Sequence, residues 1–218
     1  MPRTASTQDG WRLAVKRALD VTVAAFGLVL LSPVILLSTL LVLFSVGRPI
    51  LFRQKRPGKN GVPFTLLKFR TMREERDAAG RLLPDGERLT FSGRVLRATS
   101  LDELPQLWNV MRGDLSLVGP RPLLMQYLDR YTPQQMRRHE VLPGITGWAQ
   151  VNGRNALSWP EKFQLDVWYV DHWSLWLDLR ILCKTTWQVL TRKGISQEGH
   201  VTMPEFEAGD KSYLQRIP

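Results

Sequence analysis

The chain has 218 residues, of which 44% are hydrophobic, and it carries 30 lysines and arginines against 20 acidic residues. Its length fits one domain, or one domain with appendages, and its apolar content is enough for a core. The single cysteine excludes an internal disulfide and a cysteine-based zinc site. The three histidines are too far apart in sequence for ordinary metal-ligand spacing: His139, His172 and His200.

The positive charge is concentrated in residues 1–60, which hold nine lysines and arginines and two acidic residues. Such a segment attracts nucleic acid, anionic lipid or phosphorylated ligands. Inside it, Val21 to Gly47 runs for 27 residues without a charge. A helix of that length would be about 40 Å long, enough to cross a hydrocarbon layer of roughly 30 Å. The run indicates lipid and excludes nucleic acid as the main partner. A cleaved signal peptide fits poorly because its apolar region would be shorter.

Two features argue against a simple membrane crossing. Ser32-Pro33 lies near the middle of the run, where proline breaks or kinks a helix. Basic residues favour the cytoplasmic side of a membrane, and here they flank both ends of the run. A re-entrant helix pair satisfies both flanks, whereas a proline-kinked transmembrane helix is the alternative, and the residues leave both open. The flanking residues are Arg12, Lys16 and Arg17 before the run, and Arg48, Arg53, Lys55, Arg56 and Lys59 after it.

The segment after the run predicts a β-hairpin. Pro49 to Met72 contains two short apolar and basic runs separated by the turn sequence Pro-Gly-Lys-Asn-Gly. The polar sequence "REERDAAG", residues 73–80, predicts a short helix that ends at its glycine. The sequence "LLPDGERLT", residues 82–90, predicts a loop.

The middle of the chain predicts helices connected by ordered loops. The helices are expected over Asp102–Met111, Pro122–Tyr131 and Pro133–Glu140. The glycine- and asparagine-rich segment Leu142 to Asn155 predicts an ordered loop.

The segment Trp159 to Leu190 holds five of the eight tryptophans and predicts two helices, with a break near Trp173-Ser174. Tryptophan is enriched at membrane interfaces, where amphipathic helices lie on the bilayer. The same residues would also suit the core of a water-soluble domain. The sequence leaves both interpretations open, and the Val21–Gly47 run favours membrane contact.

Adjacent carboxylates at Asp102 and Glu103 have a structural and a chemical interpretation. Ser100 and Glu103 have the spacing of a capping box, and Pro105 is typical of a first helical turn. In that interpretation Asp102 only complements the helix dipole. Alone, the pair favours this structural role.

The cations around the pair favour chemistry instead: Lys68, Arg70, Arg97 and Arg121. Carboxylates among cations suit an anionic substrate and can hold Mg²⁺ against a phosphate. A carboxylate can also attack phosphorus and form an acyl phosphate. Phosphoryl transfer depends mostly on positioning and charge neutralisation, which a metal and guanidinium groups supply. The sequence contains no Gly-rich nucleotide loop, no Gly-x-Ser-x-Gly elbow and no His-Glu-x-x-His motif.

Three long motifs resemble those of a known family. They are "LKFRTM" (residues 67–72), "SLDELPQLWNVMRGDLSLVGPRP" (residues 100–122) and "LPGITGWAQVNGRN" (residues 142–155), where Leu142 replaces an arginine of the family pattern. Together they resemble the bacterial sugar transferases, the small monotopic phosphoglycosyl transferases. The resemblance extends over nearly the whole chain, to "GISQEGHVTMPEF" at residues 194–206.

The resemblance implies a fold and a domain organisation. The expected fold is α+β and mainly helical, with a re-entrant membrane helix, amphipathic interfacial helices and a small globular catalytic domain that contains the β-hairpin. Residues 1–48 would form the basic N-terminal helix and the re-entrant helix, and residues 49–218 the catalytic domain. The expected location is the bacterial inner membrane, with the catalytic domain on its cytoplasmic face.

The resemblance also implies a reaction. A UDP-sugar, expected to be an N-acetylated amino sugar, transfers its sugar 1-phosphate to undecaprenyl phosphate and releases UMP. Mg²⁺ is the expected cofactor, and the two substrates would react in turn through a covalent enzyme intermediate. A hexose-1-phosphate transferase of the same family and a non-catalytic basic scaffold at the membrane surface are the alternatives.

Site residues follow from the motifs. Asp102 matches the aspartate of the family's Asp-Glu pair, which implies a nucleophile and metal ligand, and Glu103 matches its partner, with a general-base or positioning role. Arg121 matches the phosphate-binding arginine of the Pro-Arg-Pro motif.

Three further residues match positions with less defined roles. Lys68 and Arg97 match basic positions that line the family's site. Asp178, in "LDLR", matches an acidic position, although a surface charge on an amphipathic helix would explain it equally well.

Overall fold

The computed structural model describes residues 10–153, 157–191 and 206, and it is mainly helical with two small sheets. The α-helices are α1 (Trp11–Leu30), α2 (Ser32–Ser45), α3 (Asp85–Arg88), α4 (Phe91–Ala98), α5 (Gln106–Arg112), α6 (Pro133–Met136), α7 (Trp148–Val151), α8 (Trp159–His172) and α9 (Leu175–Thr191). The strands are β1 (Leu51–Pro57), β2 (Pro63–Phe69), β3 (Ser116–Val118) and β4 (Gly144–Thr146). The mainly helical class and the hairpin are confirmed.

Some predicted segments lie outside the described residues. They are the first nine residues of the N-terminal segment, the end of the glycine- and asparagine-rich segment, and the C-terminal family motif except Phe206.

The uncharged run forms two helices, as the proline at its middle predicts. Helices α1 and α2 meet at Leu31 with a bend of 65°. Pro33 lies in the first turn of α2, where its missing N–H group costs least. The Ser32 hydroxyl donates to the carbonyl of Val29 at 2.8 Å and so satisfies one acceptor at the end of α1. Among the described helices none is by itself long and apolar enough to cross a membrane, although the bent pair together is.

Two of the basic residues before the run contact the protein and do not form a free basic flank, which corrects the sequence interpretation. Lys16 donates to the carboxylate of Asp178 at 2.6 Å and to the carbonyl of Val118 at 3.1 Å. Arg17 donates to the carbonyl of Met111 at 3.1 Å. These bonds attach the first half of α1 to α5, β3 and α9.

The carboxylate of Asp178 is the centre of a buried polar cluster. It also accepts from the Tyr169 hydroxyl at 2.7 Å and from the Trp173 indole N–H at 3.1 Å. The donors therefore come from α1 and from the C-terminal end of α8, and the buried charge is paired and hydrogen-bonded, as a buried carboxylate requires.

The predicted hairpin is present. Strands β1 and β2 are antiparallel, with Leu51 opposite Phe69 and Pro57 opposite Pro63. The turn between them has positive φ angles at Asn60 (55°) and Gly61 (76°), which are residue types that tolerate this conformation.

The segment after the hairpin contradicts two expectations. Residues 73–80 form no helix, because the Asp77 carboxylate accepts from the backbone N–H groups of Ala79 and Arg81, both at 2.9 Å, and closes a turn instead. Residues 82–90, expected as a loop, contain the single turn of α3.

The middle of the chain is less regular than the sequence indicates. Pro122–Tyr131 contains only a 3₁₀ helix, Met125–Arg130, whereas Pro133–Glu140 is helical as predicted, through α6 and a 3₁₀ turn. The predicted loop after it contains β4 and α7, and β4 pairs in parallel with β3. A Cβ on Gly144 would lie 2.1 Å from the backbone nitrogen of Gly119, so this approach requires glycine.

The two tryptophan-rich helices are present as predicted, since α8 ends at His172 and α9 begins at Leu175. Some of these tryptophans fit a position in the core, and others are exposed, as a position at a membrane interface would require. Trp159 and Trp173 are buried in the core, whereas Trp176 and Trp187 are mostly exposed, at 74% and 65%.

We expect the Lys16–Asp178 pair to be a major contribution to stability. Because both residues are buried, Lys16→Met strands the Asp178 carboxylate and should lower the free energy of unfolding by about 3–5 kcal/mol. The double variant Lys16→Met/Asp178→Asn removes the stranded charge and should recover part of the loss. Thermal unfolding of the detergent-solubilised protein measures both.

The matched control is Arg12→Met on the exposed face of the same helix, which should change stability by about 0.5 kcal/mol or less. Equal stability of Lys16→Met and Arg12→Met would contradict the importance of the pair.

Candidate active site

Asp102 and Glu103 lie in a short 3₁₀ turn, Leu101–Glu103, immediately before α5. The predicted capping box is wrong: Ser100 adopts a left-handed conformation with φ of 57° and forms no side-chain capping bond. The predicted helix over 102–111 accordingly begins only at Gln106. In this turn neither carboxylate caps the N-terminus of α5.

Glu103 joins two cations from different parts of the chain. One of its oxygens accepts from Lys68 on β2 and from Arg121 in the Pro-Arg-Pro segment, each at 2.6 Å. Burial alone would raise the pKa of Glu103, but the charges and hydrogen bonds of Arg121 and Lys68 outweigh it and hold that pKa well below its usual range. Glu103 is therefore ionised, and its contacts favour a positioning role over proton transfer.

The buried amide of Asn109 fixes the strand that carries Lys68. It donates to the carbonyl of Thr65 at 2.8 Å and accepts from the N–H of Leu67 at 3.1 Å, as a neighbouring strand would. Because Asn109 lies on α5, these bonds hold β2 beside the turn of the carboxylate pair.

The carboxylate of Asp102 is left without a direct partner. It is 8% exposed and forms no hydrogen bond or ion pair with any described residue. Burial, followed by the negative charge of Glu103, raises the pKa of Asp102 to about 6, against the lowering effect of the nearby cations. At neutral pH Asp102 is mostly ionised, and it is more basic than an ordinary aspartate.

The structure brings five predicted site residues to one large cavity of about 1950 Å³. They are Lys68, Arg97, Asp102, Glu103 and Arg121. Arg97 is directed by a bond from its Nε to the Thr71 hydroxyl at 3.0 Å and contributes positive charge near Asp102.

Asp178 is not among the residues that line this cavity. Its carboxylate is occupied by Lys16, Tyr169 and Trp173. The structure therefore gives Asp178 a place in the packing of α1, and a role in the reaction stays a prediction.

Several lining residues were not found from the sequence. Arg138 and Asp166 form a buried ion pair at 2.7 Å, and Arg138 also donates to the carbonyl of Arg121 at 2.7 Å, so the pair supports the Pro-Arg-Pro segment. Arg56 lines the large cavity beside Lys68, and Gln106 lines a smaller cavity that shares both of these residues. No local pattern marks these residues, because their partners are distant in sequence.

A divalent cation fits the carboxylate that has no partner. Within the described ranges no group of three or more histidine, cysteine or acidic residues could hold a metal by itself. Mg²⁺, however, is ordinarily held by one or two carboxylates together with substrate phosphates. Asp102 offers such a carboxylate with Lys68, Arg97 and Arg121 nearby, whereas Glu103 is already bonded to two cations.

The arrangement can perform nucleophilic chemistry on a phosphate. It offers one basic carboxylate with free oxygens, and Lys68 and Arg121 beside it to receive charged phosphate oxygens.

Comparisons with known proteins identify the family. The profile described as bacterial sugar transferase matches residues 11–192. The uncharacterized sugar transferase EpsL of Bacillus subtilis (strain 168) is 59% identical over 201 residues, which cover 92% of this chain and 100% of that protein. The UDP-glucose:undecaprenyl-phosphate glucose-1-phosphate transferase of Caulobacter vibrioides is 44% identical over 186 residues, which cover 81% of this chain and 70% of that protein.

A third relative has a different sugar in its name. The UDP-N-acetylgalactosamine-undecaprenyl-phosphate N-acetylgalactosaminephosphotransferase of Aeromonas hydrophila is 39% identical over 188 residues, which cover 83% of this chain but only 44% of that protein. Since the family profile matches residues 11–192, and the Bacillus and Caulobacter relatives are 59% and 44% identical over 92% and 81% of the chain, the chain belongs to the bacterial sugar transferase family.

Proposed function

We propose that this protein transfers a sugar 1-phosphate from a UDP-sugar to undecaprenyl phosphate and releases UMP. The observation that carries the proposal is the unequal environment of the two carboxylates, since Glu103 is neutralised by two cations whereas Asp102 is buried, basic and unpaired. The names of the Caulobacter and Aeromonas relatives support the same general reaction.

In the first half-reaction an oxygen of Asp102 attacks the sugar-linked phosphorus of the UDP-sugar. The bond from this phosphorus to the bridging oxygen breaks, and UMP leaves with the bond electrons. Asp102 then carries the sugar phosphate as an acyl phosphate. Lys68 and Arg121 receive the phosphate oxygens, and Glu103 keeps these two cations in place.

In the second half-reaction a phosphate oxygen of undecaprenyl phosphate attacks the same phosphorus and the Asp102 carboxylate leaves. Asp102 is the residue that would hold Mg²⁺, which would supply positive charge against the phosphates of the substrates. The two substrates then need not occupy the cavity together, which suits one water-soluble donor and one lipid acceptor.

The membrane arrangement is a re-entrant helix pair on the cytoplasmic face of the bacterial inner membrane. Both ends of the pair are attached to the same globular part: Lys16 bonds Asp178, and Ser45 accepts from Ser92 and Arg73. A pair that enters and leaves one leaflet satisfies both attachments. Its exposed apolar residues support burial in lipid, because water would leave them unfavourably exposed: Val23, Phe26, Val29, Leu30, Leu36, Leu37 and Phe44.

An N-acetylated amino sugar is the proposed sugar. The sequence motifs resemble those of small family members that transfer N,N′-diacetylbacillosamine 1-phosphate, and the Aeromonas relative is named for an N-acetylated sugar. A hexose is the second candidate, because the Caulobacter relative is named for glucose. Release of UMP over a panel of UDP-sugars with undecaprenyl phosphate decides between them, and a non-catalytic scaffold would release none.

We expect both sides of the helix pair to be accessible from the cytoplasm only. In a Cys183→Ser background, Gln8→Cys and Lys59→Cys should react with an impermeant maleimide in inverted vesicles and not in spheroplasts. The control is Ser32→Cys at the bend, which should stay unlabelled in both. Labelling of residue 8 and residue 59 from opposite sides would contradict the re-entrant arrangement.

Arg121→Lys should lower kcat/KM about tenfold or more, on the order of 1.4 kcal/mol. Lysine keeps the charge but loses the planar fork that can bond Glu103 and a phosphate together. The control is Arg112→Lys, at an exposed residue of α5 outside the cavity lining, which should leave the rate unchanged. Wild-type kinetics for Arg121→Lys would remove this residue from the site.

Asp102 should become covalently phosphoglycosylated. With UDP-sugar and Mg²⁺ but no polyprenyl phosphate, UMP should be released in a burst of at most one per enzyme. The intact mass should rise by one sugar phosphate, and peptide mapping should locate it on Asp102.

Two variants separate the carboxylates in that experiment. Asp102→Asn should abolish the burst and the adduct, whereas Glu103→Gln should slow both. Release of UMP only when the lipid is present, with no trapped adduct on rapid quenching, would favour direct transfer and leave Asp102 as a metal ligand.

A further inference from the structure

A small cavity adjoins the large one at Lys68 and Arg121, which line both. Its volume is about 70 Å³. A water molecule needs roughly 10–15 Å³ of such space, so the cavity has room for a group of several heavy atoms. Three of the lining residues are cations and none is acidic: Arg56, Leu66, Lys68, Gln106, Arg121, Pro122 and Leu123.

Gln106 presents an unpaired donor in this lining. The residue is 2% exposed, and its amide nitrogen, Nε2, has no hydrogen-bond partner among the described residues. Buried amide groups are almost always hydrogen-bonded, because an unpaired one loses its bonds to water without replacement. An unpaired buried donor beside a cavity therefore indicates a missing acceptor.

Arg56 presents a second unpaired donor. Its two terminal nitrogens donate to the carbonyl of Pro122 at 3.4 Å and to the side chain of Gln54 at 2.6 Å, whereas its Nε is buried without a partner. Within the described ranges no carboxylate forms an ion pair with Arg56. Burial, and then the charge of Arg121, lower the pKa of Arg56 to about 10, as expected for a guanidinium that faces another cation without an anion between them.

The charges of the lining favour an anion. Glu103 offers one negative charge to Lys68 and Arg121, and Arg56 adds a third positive charge to the same lining. The free groups, an amide N–H and a guanidinium N–H, can only donate. A ligand that complements them is small, negatively charged and an acceptor on several oxygens, which describes a phosphoryl group.

We propose that Gln106 and Arg56 form the inner wall of a phosphoryl subsite, in which Gln106 Nε2 and Arg56 Nε donate to non-bridging phosphate oxygens. The identity of the substrates in this inference rests on the proposed function, whereas the presence of the subsite does not. Two sources can supply the group: the diphosphate of the UDP-sugar or the phosphate of the lipid acceptor. Gln106 is a binding residue, and it takes no part in bond making.

The first test needs no turnover. Inorganic phosphate should raise the thermal unfolding temperature of the wild-type protein, and Gln106→Leu should weaken its apparent affinity about tenfold. Without phosphate, Gln106→Leu should be as stable as the wild type or more so, because it removes an unpaired buried donor. If Gln106 had a purely structural role, Gln106→Leu would lower stability and leave the phosphate affinity unchanged. Lower stability or an unchanged phosphate affinity in this variant would each overturn the proposal.

The matched control is Gln150→Leu. Gln150 lines the large cavity, also has an unpaired buried amide, and does not line the small one. It should keep wild-type phosphate affinity, and an equal loss in both variants would overturn the assignment to the small cavity. Arg56→Met is the second variant, with the same expected loss, if Gln106→Leu fails to fold.

The second test assigns the source. If Gln106→Leu raises the KM for the UDP-sugar in the UMP burst without lipid, and leaves the burst rate at saturation unchanged, the subsite belongs to the donor. If Gln106→Leu raises only the KM for polyprenyl phosphate, the subsite belongs to the acceptor. If the wild type releases no UMP, the proposed function fails, whereas the phosphate-binding difference between Gln106→Leu and Gln150→Leu still supports or refutes the subsite.

Discussion

The contact that the site depends on is the pairing of one Glu103 oxygen with both Lys68 and Arg121, each at 2.6 Å. Three segments meet there: the second strand of the hairpin, the turn before α5, and the Pro-Arg-Pro segment. Because lysine and arginine repel each other, the carboxylate between them is what allows two cations to face one cavity. The same pairing occupies Glu103 and leaves Asp102 as the unpaired member.

Other buried hydrogen bonds and ion pairs hold these three segments in position. Asn109 holds the hairpin strand by its free edge, and the buried Arg138–Asp166 pair holds the Pro-Arg-Pro segment through the carbonyl of Arg121. On the far side, Lys16 connects α1 to Asp178, and the Asp20 carboxylate accepts from the hydroxyl of Ser116 on β3 at 2.7 Å. Since α1 continues into the apolar bend, the polar cluster around Asp178 fixes the distance from that bend to the cavity.

What the sequence predicts correctly is mostly local. Pro33 ends α1 because of its own backbone chemistry, the Lys-Asn-Gly turn closes the hairpin, and the break between α8 and α9 lies where the helical pattern ends. The motifs predict a shared site for five residues, and all five line one cavity, whereas their roles in a reaction stay predictions: Lys68, Arg97, Asp102, Glu103 and Arg121.

Two of the failures share a cause, because the residue that decides the conformation is distant in sequence. Ser100 and Glu103 have the spacing of a capping box, but Glu103 gains two charged partners by turning away, and Ser100 takes a left-handed conformation. Asp178 resembles a surface charge until Lys16, 162 residues earlier, is brought against it. At residues 73–80 the deciding partner is local. The Asp77 side chain accepts hydrogen bonds from the backbone N–H groups that a helix would use.

The order of the two carboxylates has a physical reason. Glutamate has one more methylene group than aspartate, and at position 103 it contacts both cations, so its charge is stabilised and its pKa is held low. Asp102, beside it, is buried next to that charge without a bonded cation, so its pKa is raised to about 6. Neighbouring carboxylates with pKa values pushed apart commonly divide two roles. Here the low-pKa member organises the cations, and the high-pKa member keeps the basicity that the proposed attack on phosphorus requires. In that proposal, a site in which both acids were paired would lack a nucleophile, and one in which neither was paired would not hold Lys68 and Arg121 together.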